Sequence, residues 1–370
     1  MTSPSSAPGR ACVVGTGLIG GSIGMALRRL GWWVTGSDAD PARAARALQL
    51  GAVDAVGEDP AARITFIAVP AGAVSAVARR VLDAQDAAGQ AAGGADQPVV
   101  TDVAGIKEGI VSSLSHPRFV GGHPMAGSEQ EGVDGADPDL FLGATWVLTP
   151  GPDTSADAYS TLQSVVRSMG ANPVALAPRR HDELVALVSH TPHLTAAALM
   201  NLAADVAESD ATLLRLAAGG FRDMTRVAAG HPGIWPDIVA ENRDAILAGL
   251  DRLGARLAEL RDVVARGDRA ALLELLERAR EGRTNLPTGA PALGKATEVR
   301  LPVPDRPGVI AEVSTLLGSQ GVNIFDVEIV HSAEGDRGVM VLIVDADHED
   351  KVRAALAGRG YRCSLRRLEG

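Results

Sequence analysis

Aromatic side chains make up only 3% of this 370-residue chain, and it has just two cysteines, Cys12 and Cys363, near its opposite ends. Two distant cysteines make no disulfide framework, and no CxxC spacing suggests a metal site. Cys12 falls inside an apolar stretch and reads as a small buried residue. Lysines are as scarce: Lys107, Lys295 and Lys351 are the whole set. No apolar run approaches the ~20 residues that would cross a bilayer. The opening MTSPSSAPGR lacks a hydrophobic signal core, so the expected location is the cytoplasm. Excess positive charge is missing too. A net charge of −10 argues against nucleic acid as a partner, because phosphate binding needs a basic surface. It leaves room for a small anionic substrate held by a local Arg and His cluster.

What is present is the composition of an ordinary globular protein, 46% hydrophobic and 22% charged. The chain is too long for one core, so two or three domains are expected. ACVVG at 11–15 reads as a buried strand and LIGGSIGMALRRL at 18–30 as an amphipathic helix. Strand signals follow at WWVTGS (32–37), ITFIAVP (64–70), PVVTDV (98–103) and RFVGG (118–122), with helices at about 40–50 and 72–84. DAAGQAAGGADQP (86–98) reads as a loop. This alternation predicts a doubly wound α/β sheet of the Rossmann type. WVLTP (146–150), a helix at about 155–169 and NPVALA (172–177) extend it, so a first domain spans 1–179. Strand signals then vanish. From 180 to 283, Ala, Leu, Arg and Glu at helical spacing predict an all-helical domain whose apolar faces pack between helices and between subunits. TNLPTGAPALGKA (284–296) is a linker by composition. The order strand, helix, strand, strand, helix, strand over 297–370 predicts a ferredoxin-like βαββαβ module.

Gly15-Thr-Gly17-Leu18-Ile19-Gly20 follows a strand and opens a helix, the setting in which GxGxxG binds a dinucleotide. Gly15 allows the turn, Gly17 the approach of the pyrophosphate, and Gly20 helix–strand packing. The phosphates would sit on the helix N-terminus. Asp38 ends the next strand, where a carboxylate accepts from ribose hydroxyls and repels a 2′-phosphate. It therefore favours NAD over NADP; equally, it could simply begin the DADP turn. GGHPMAGSEQEG (121–132) places His123 after a strand, at the carboxyl edge of the sheet where the cofactor crevice lies. With an ordinary pKa near 6.5, an imidazole there can take a proton from an alcohol. LVSHTPH (187–193) and GFRDMTR (220–226) add His190, Arg222 and Arg226, and an Arg fork suits a carboxylate. Two arginines four apart also suit a solvated helix face. Trp235 can be core or ligand contact.

GTGLIGGS, TDVAGIK, GGHPMAGSE, SHTPH, GFRDMTR and IWPDIVAEN together resemble the prephenate and arogenate dehydrogenases of tyrosine biosynthesis, over nearly the whole chain. The resemblance implies a homodimer joined through the helical domain, and an NAD-dependent oxidative decarboxylation. It implies that His123 bonds the ring hydroxyl, that Arg226 and His190 bind substrate, and that Ser128, Glu129 and Trp235 line the pocket. The 297–370 module resembles an ACT domain, with Asp305, Gly308 and Asn323 where that module binds an amino acid. Tyrosine is the expected effector, although it could instead occupy the active site, and the three residues could merely shape a turn and a strand start. The family usually carries a serine where this chain has Gly105, so water or Ser128 substitutes for that hydroxyl, or the step is slower. Prephenate is the expected substrate and arogenate the alternative. Glu129 could pair with the ammonium of arogenate or gate the pocket. A β-hydroxyacid dehydrogenase is disfavoured because the helical segment has no lysine. A non-catalytic amino-acid sensor is disfavoured by the nucleotide loop, His123 and Arg226.

Overall fold

Strand β1 (Arg10–Val14) shows how the first core is built. Ala11 and Val13 join one buried cluster, while Cys12 and Val14 join a second cluster on the opposite face. Side chains alternate along a strand, so a strand apolar on both faces must be covered on both. Helix α1 (Leu18–Arg29) contributes Ile23 and Leu27 to the first cluster. The computed structural model describes residues 9–89, 97–128, 130–209, 212–230, 232–285, 296–304, 306–331 and 337–368. It divides into two units, Met1–Arg266 and Gly267–Gly370.

In the first unit the chain continues through β2 (Trp33–Ser37), α2 (Pro41–Gln49), β3 (Ala55–Val56), β4 (Ile64–Ile67), α3 (Ala71–Ala87), β5 (Val99–Asp102), α4 (Glu108–Ser113), β6 (Phe119–Pro124), β7 (Thr145–Pro150), α5 (Ala156–Ser168) and β8 (Asn172–Ala175). Local chemistry sets the helix starts. Asp40 accepts the Ala42 N–H with Pro41 in the first turn of α2, and Ser155 accepts the Ala158 N–H of α5. The strands form one sheet in the order β3-β2-β1-β4-β5-β6-β7-β8. The order reverses between β1 and β4, which opens a crevice at their carboxyl ends.

Three local expectations need correction. The two-residue β3 and the one-and-a-half-turn α4 are too short to give a periodic signal. β7 runs antiparallel to β6: among the described residues of 125–144 the one helical element is a 3₁₀ turn at Val133–Gly135, with no crossover helix to bring the chain back parallel. That pairing carries β6 through His123, which faces Val147 in register. His123 is thus part of the strand, not of the loop after it.

The rest of the first unit is helical: α6 (Pro178–Val185), α7 (Thr191–Ala207), α8 (Thr212–Arg215), α9 (Gly219–Thr225), α10 (Trp235–Glu241) and α11 (Arg243–Arg266). One π turn, Ala186–His190, joins α6 to α7, and the Thr191 N–H reaches back to the Ala186 carbonyl. Pro192 lacks an N–H, so the regular ladder cannot continue through this point.

The second unit contains α12 (Arg269–Thr284), β9 (Ala296–Pro304), α13 (Val309–Ser319), β10 (Ile324–His331), β11 (Arg337–Asp345), α14 (Glu349–Gly358) and β12 (Ser364–Leu368). From β9 onward it has the expected βαββαβ order. Its antiparallel sheet runs β10-β11-β9-β12, with Val299, Leu301 and Val303 facing Val313, Leu317, Val352 and Leu356. Among the described residues, no helix is long and apolar enough to cross a membrane.

Candidate functional site

The turn between β1 and α1 has the backbone of a nucleotide loop. Gly15 has φ +96°, and a Cβ there would stand 2.2 Å from the Ala68 carbonyl oxygen. A Cβ at Gly20 would stand 1.9 Å from the Gly15 oxygen, whereas at Gly17 it would meet nothing within 4 Å. Gly15 and Gly20 therefore serve the turn and its packing, and Gly17 leaves open space. No side chain caps α1, so the amides around Leu18, Ile19 and Gly20 remain to meet an anion. Asp38, at the end of β2, is tied to this loop. Its Oδ2 accepts the Thr16 N–H at 2.8 Å and its Oδ1 accepts the Asp40 N–H at 3.0 Å. This arrangement fits a dinucleotide with its pyrophosphate over Gly17 and a ribose against Asp38.

Across the same edge of the sheet, β5 and β6 carry a buried polar cluster. Asp102 and Lys107 form an ion pair with both side chains fully buried. Asp102 also accepts the N–H groups of Ala104 at 3.0 Å and Gly122 at 3.2 Å, which fixes the strand just before His123. Burial pushes the Lys107 ammonium below its ordinary value, and Asp102 opposes that. His123 Nδ1 lies 2.8 Å from His181 Nε2. His181 Nδ1 lies 2.7 Å from Asp182 Oδ1, and the two Asp182 oxygens accept the N–H groups of Lys107 and Glu108, each at 2.8 Å. Asp182 thereby caps α4 from a different helix. Burial, reinforced by the charges of His181, Lys107 and His190, holds His123 well below the usual histidine range. It is thus a neutral base at physiological pH. Its Nε2 faces Gly105, where an added Cβ would stand 3.6 Å away, so the missing side chain leaves room beside that nitrogen.

His190 follows the π turn and is only 3% exposed. The Asn242 amide donates to the Asp182 carbonyl at 3.0 Å and lies 3.3 Å from His190 Nδ1. Burial pushes His190 down to about 4, so a neutral ring with its proton on Nε2 results. Trp235 meets His190 edge-on at 6.0 Å and stacks on His193 at 3.9 Å between centroids. Arg226 is exposed and opens a 3₁₀ turn directly after α9, four residues beyond Arg222, which is exposed as well. Ser128 is exposed and its Oγ accepts the Gln130 N–H at 3.1 Å. Glu129 and Asp305 lie outside the described residues. In the second unit, Gly308 has φ +89° before α13, and Asn323 is exposed just before β10.

The structure thus brings His123, Gly105 and a His190–Trp235 pair into a network through Asp102, Lys107, His181, Asp182, Asn242 and His193. None of those six is marked as a site residue by the sequence alone, even though most lie in segments that stand out in it. Lys107 and Asp102 belong to TDVAGIK, Asn242 to IWPDIVAEN and His193 to SHTPH. His181-Asp182, in PRRHDELV, gave one signal: a polar pair beside Val185 at helical spacing on a buried face.

Residues 23–175 match the family described as "Prephenate dehydrogenase, nucleotide-binding domain", and residues 177–278 its "dimerization domain". Residues 297–359 match the ACT domain. The chain is 32% identical to a prephenate dehydrogenase from Bacillus subtilis over 92% of its own length and 93% of that protein. It is similar to Synechocystis arogenate dehydrogenase, at 30% identity and a TM-score of 0.64, covering 75% of this chain and all of that one. A structure of prephenate dehydrogenase from A. aeolicus in complex with hydroxyphenyl propionate and NAD+ is 27% identical with a TM-score of 0.68, covering 77% of this chain and 100% of that one.

Proposed function

The chain belongs to the prephenate dehydrogenase family, and from that membership we propose that it catalyses the NAD-dependent oxidative decarboxylation of prephenate to 4-hydroxyphenylpyruvate. The observation that carries the reading is His123, a half-buried imidazole with its pKa held below the usual histidine range, at the edge of the crevice with Nε2 facing the open space at Gly105. In this reading His123 Nε2 accepts the proton of the ring hydroxyl. NAD held at the Gly15–Gly20 turn and Asp38 would supply the hydride acceptor for the carbinol carbon. The ring carboxylate leaves as CO2, and its bonding electrons close the aromatic ring. The chain need only hold the reactants and keep water away.

Arg226 is assigned to a substrate carboxylate, the Trp235–His193 stack to the pocket wall, and the neutral His190 to a hydrogen-bond donor through Nε2. Asp38 is assigned to the adenosine ribose, with the Gly15–Gly20 turn over the pyrophosphate. The homodimer is supported by exposed Leu187, Val188, Leu202, Leu257 and Val264 on the helical segment. A groove of about 680 Å³ there is lined by Leu187, Leu199, Met224 and Leu253. In this organisation 1–179 binds nucleotide, 180–283 carries the substrate and dimer surfaces, 284–296 links, and 297–370 is regulatory. Arogenate remains the alternative because the Synechocystis protein acts under that name at similar identity.

The test is NADH formation by the full-length protein with prephenate and with arogenate, using NAD and NADP in parallel. The reading expects a higher kcat/KM for prephenate with NAD. A higher kcat/KM for arogenate would move the assignment to the alternative, and activity with neither would remove it.

A further inference from the structure

His123 can act as a base only if its outward nitrogen, Nε2, carries no proton. Imidazole has two neutral tautomers, and which one forms depends on what the other nitrogen meets. The hydrogen bonds along α6 fix that choice step by step. Asp182 accepts the Lys107 N–H on Oδ1 and the Glu108 N–H on Oδ2. Both oxygens of this carboxylate take amide donors, and a carboxylate can only accept. The third group at Asp182, His181 Nδ1 at 2.7 Å, must therefore be the donor. A neutral His181 with its proton on Nδ1 presents a bare Nε2. That Nε2 is 2.8 Å from His123 Nδ1, so His123 Nδ1 must donate in turn, and the lone pair is left on His123 Nε2.

We propose that Asp182 and His181 are positioning residues that hold His123 in its Nδ1–H tautomer and delocalise the charge it acquires on taking the substrate proton. The proposal rests on the assignment of His123 as the base. His181 is fully buried and Asp182 nearly so, and their rings and carboxylate form one chain across two elements. When Nε2 takes the hydroxyl proton, the imidazolium donates through Nδ1 to His181, and His181 donates to the Asp182 carboxylate. No atom other than that one proton changes owner. The charged groups around His123 are Lys107, His181 and His190 on one side and Asp102 and Asp182 on the other. The three potential cations disfavour an imidazolium in the resting state, so an anion reached through His181 is what makes protonation affordable during turnover.

The experiment uses full-length protein labelled with 15N-histidine, whose ring nitrogens report the tautomer at a pH above the ordinary histidine range. Wild type is expected to show the His123 proton on Nδ1. Asp182→Asn removes the anion at the end of the chain and, whichever way the amide turns, leaves at least one of the Lys107, Glu108 and His181 N–H donors without an acceptor. The expected kcat loss is on the order of 10²–10⁴, with the KM for NAD unchanged. His181→Gln keeps an acceptor towards His123 and a donor towards Asp182, so it should retain far more activity than His181→Leu, which packs but does neither. A wild-type His123 protonated on Nε2 would overturn the proposal. So would normal turnover in Asp182→Asn, or equal losses in the Gln and Leu variants. If Asp182→Asn does not fold, the wild-type tautomer and the two His181 variants still decide. Should wild type turn over neither prephenate nor arogenate, the function fails, while the tautomer measurement still judges the hydrogen-bond chain.

Discussion

At the scale of single residues, the proposed chemistry rests on His123, with Gly105 beside it. His123→Asn keeps a hydrogen-bonding group but not a base, so kcat should fall on the order of 10²–10⁴-fold while NAD affinity, measured by fluorescence titration, holds. Because burial and nearby positive charge push the His123 pKa below 6.5, the acid limb of kcat/KM in wild type should lie below that pH. A limb at or above 6.5 would mean that another group titrates. Gly105 stands where the family resemblance leads one to expect a serine. A Cβ there stands 3.6 Å from His123 Nε2, an ordinary contact, so Gly105→Ser should fold normally with its hydroxyl beside the reactive nitrogen. We expect unchanged Tm and an equal or higher kcat. Gly105→Val fills the same space with methyl groups and should depress kcat.

At the scale of elements, buried charge holds the catalytic edge together. The Asp102–Lys107 pair joins the end of β5 to the start of α4 and, through the Gly122 N–H, to β6. Lys107→Ala would strand the Asp102 carboxylate in a dry site at a cost of about 3–5 kcal/mol, read as a lower midpoint in urea. A loss confined to activity would show that the pair is not structural. The π turn before α7 brings a second titration. His190 has its folded pKa lowered from 6.5 to about 4, so the unfolded chain binds the extra proton first. The stability it contributes is complete above 6.5 and is lost as pH falls from 6.5 towards 4. Tm should decline through that window, and less steeply in His190→Gln, whose amide cannot titrate.

At the scale of the whole molecule, the ACT module is the part that can regulate. It has its own core and sheet, so it can fold around its own ligand. We propose tyrosine as that ligand, held near Gly308 and Asn323, with Asp305 the third residue of the assignment. Truncation near residue 290 should leave an active enzyme with weakened tyrosine inhibition. Unchanged inhibition in the truncated protein would move the effector to the active site, where tyrosine resembles the product. The exposed apolar residues of α7 and α11 predict that this truncated protein is still a dimer by light scattering, because the proposed interface lies outside the removed module.

The sequence by itself determined the layers. Short continuous apolar runs, period-3.6 helices and glycines at the turns are local signals, and they sufficed for the α/β sheet, the helical segment and the βαββαβ module. It also marked His123, because a glycine-rich segment after a strand is visible without any partner. What only the tertiary structure decided was which polar groups meet. His181 stands 58 positions from His123 and Asp182 stands 75 from Lys107. Nothing in α6 announces that its buried face turns towards β6. The antiparallel return of β7, which draws His123 into the strand, was equally hidden, since direction depends on the path of the connection and not on the strand's own residues. Periodicity reports which face of an element is buried; it does not report what lies against that face. The tautomer of a histidine depends on the latter.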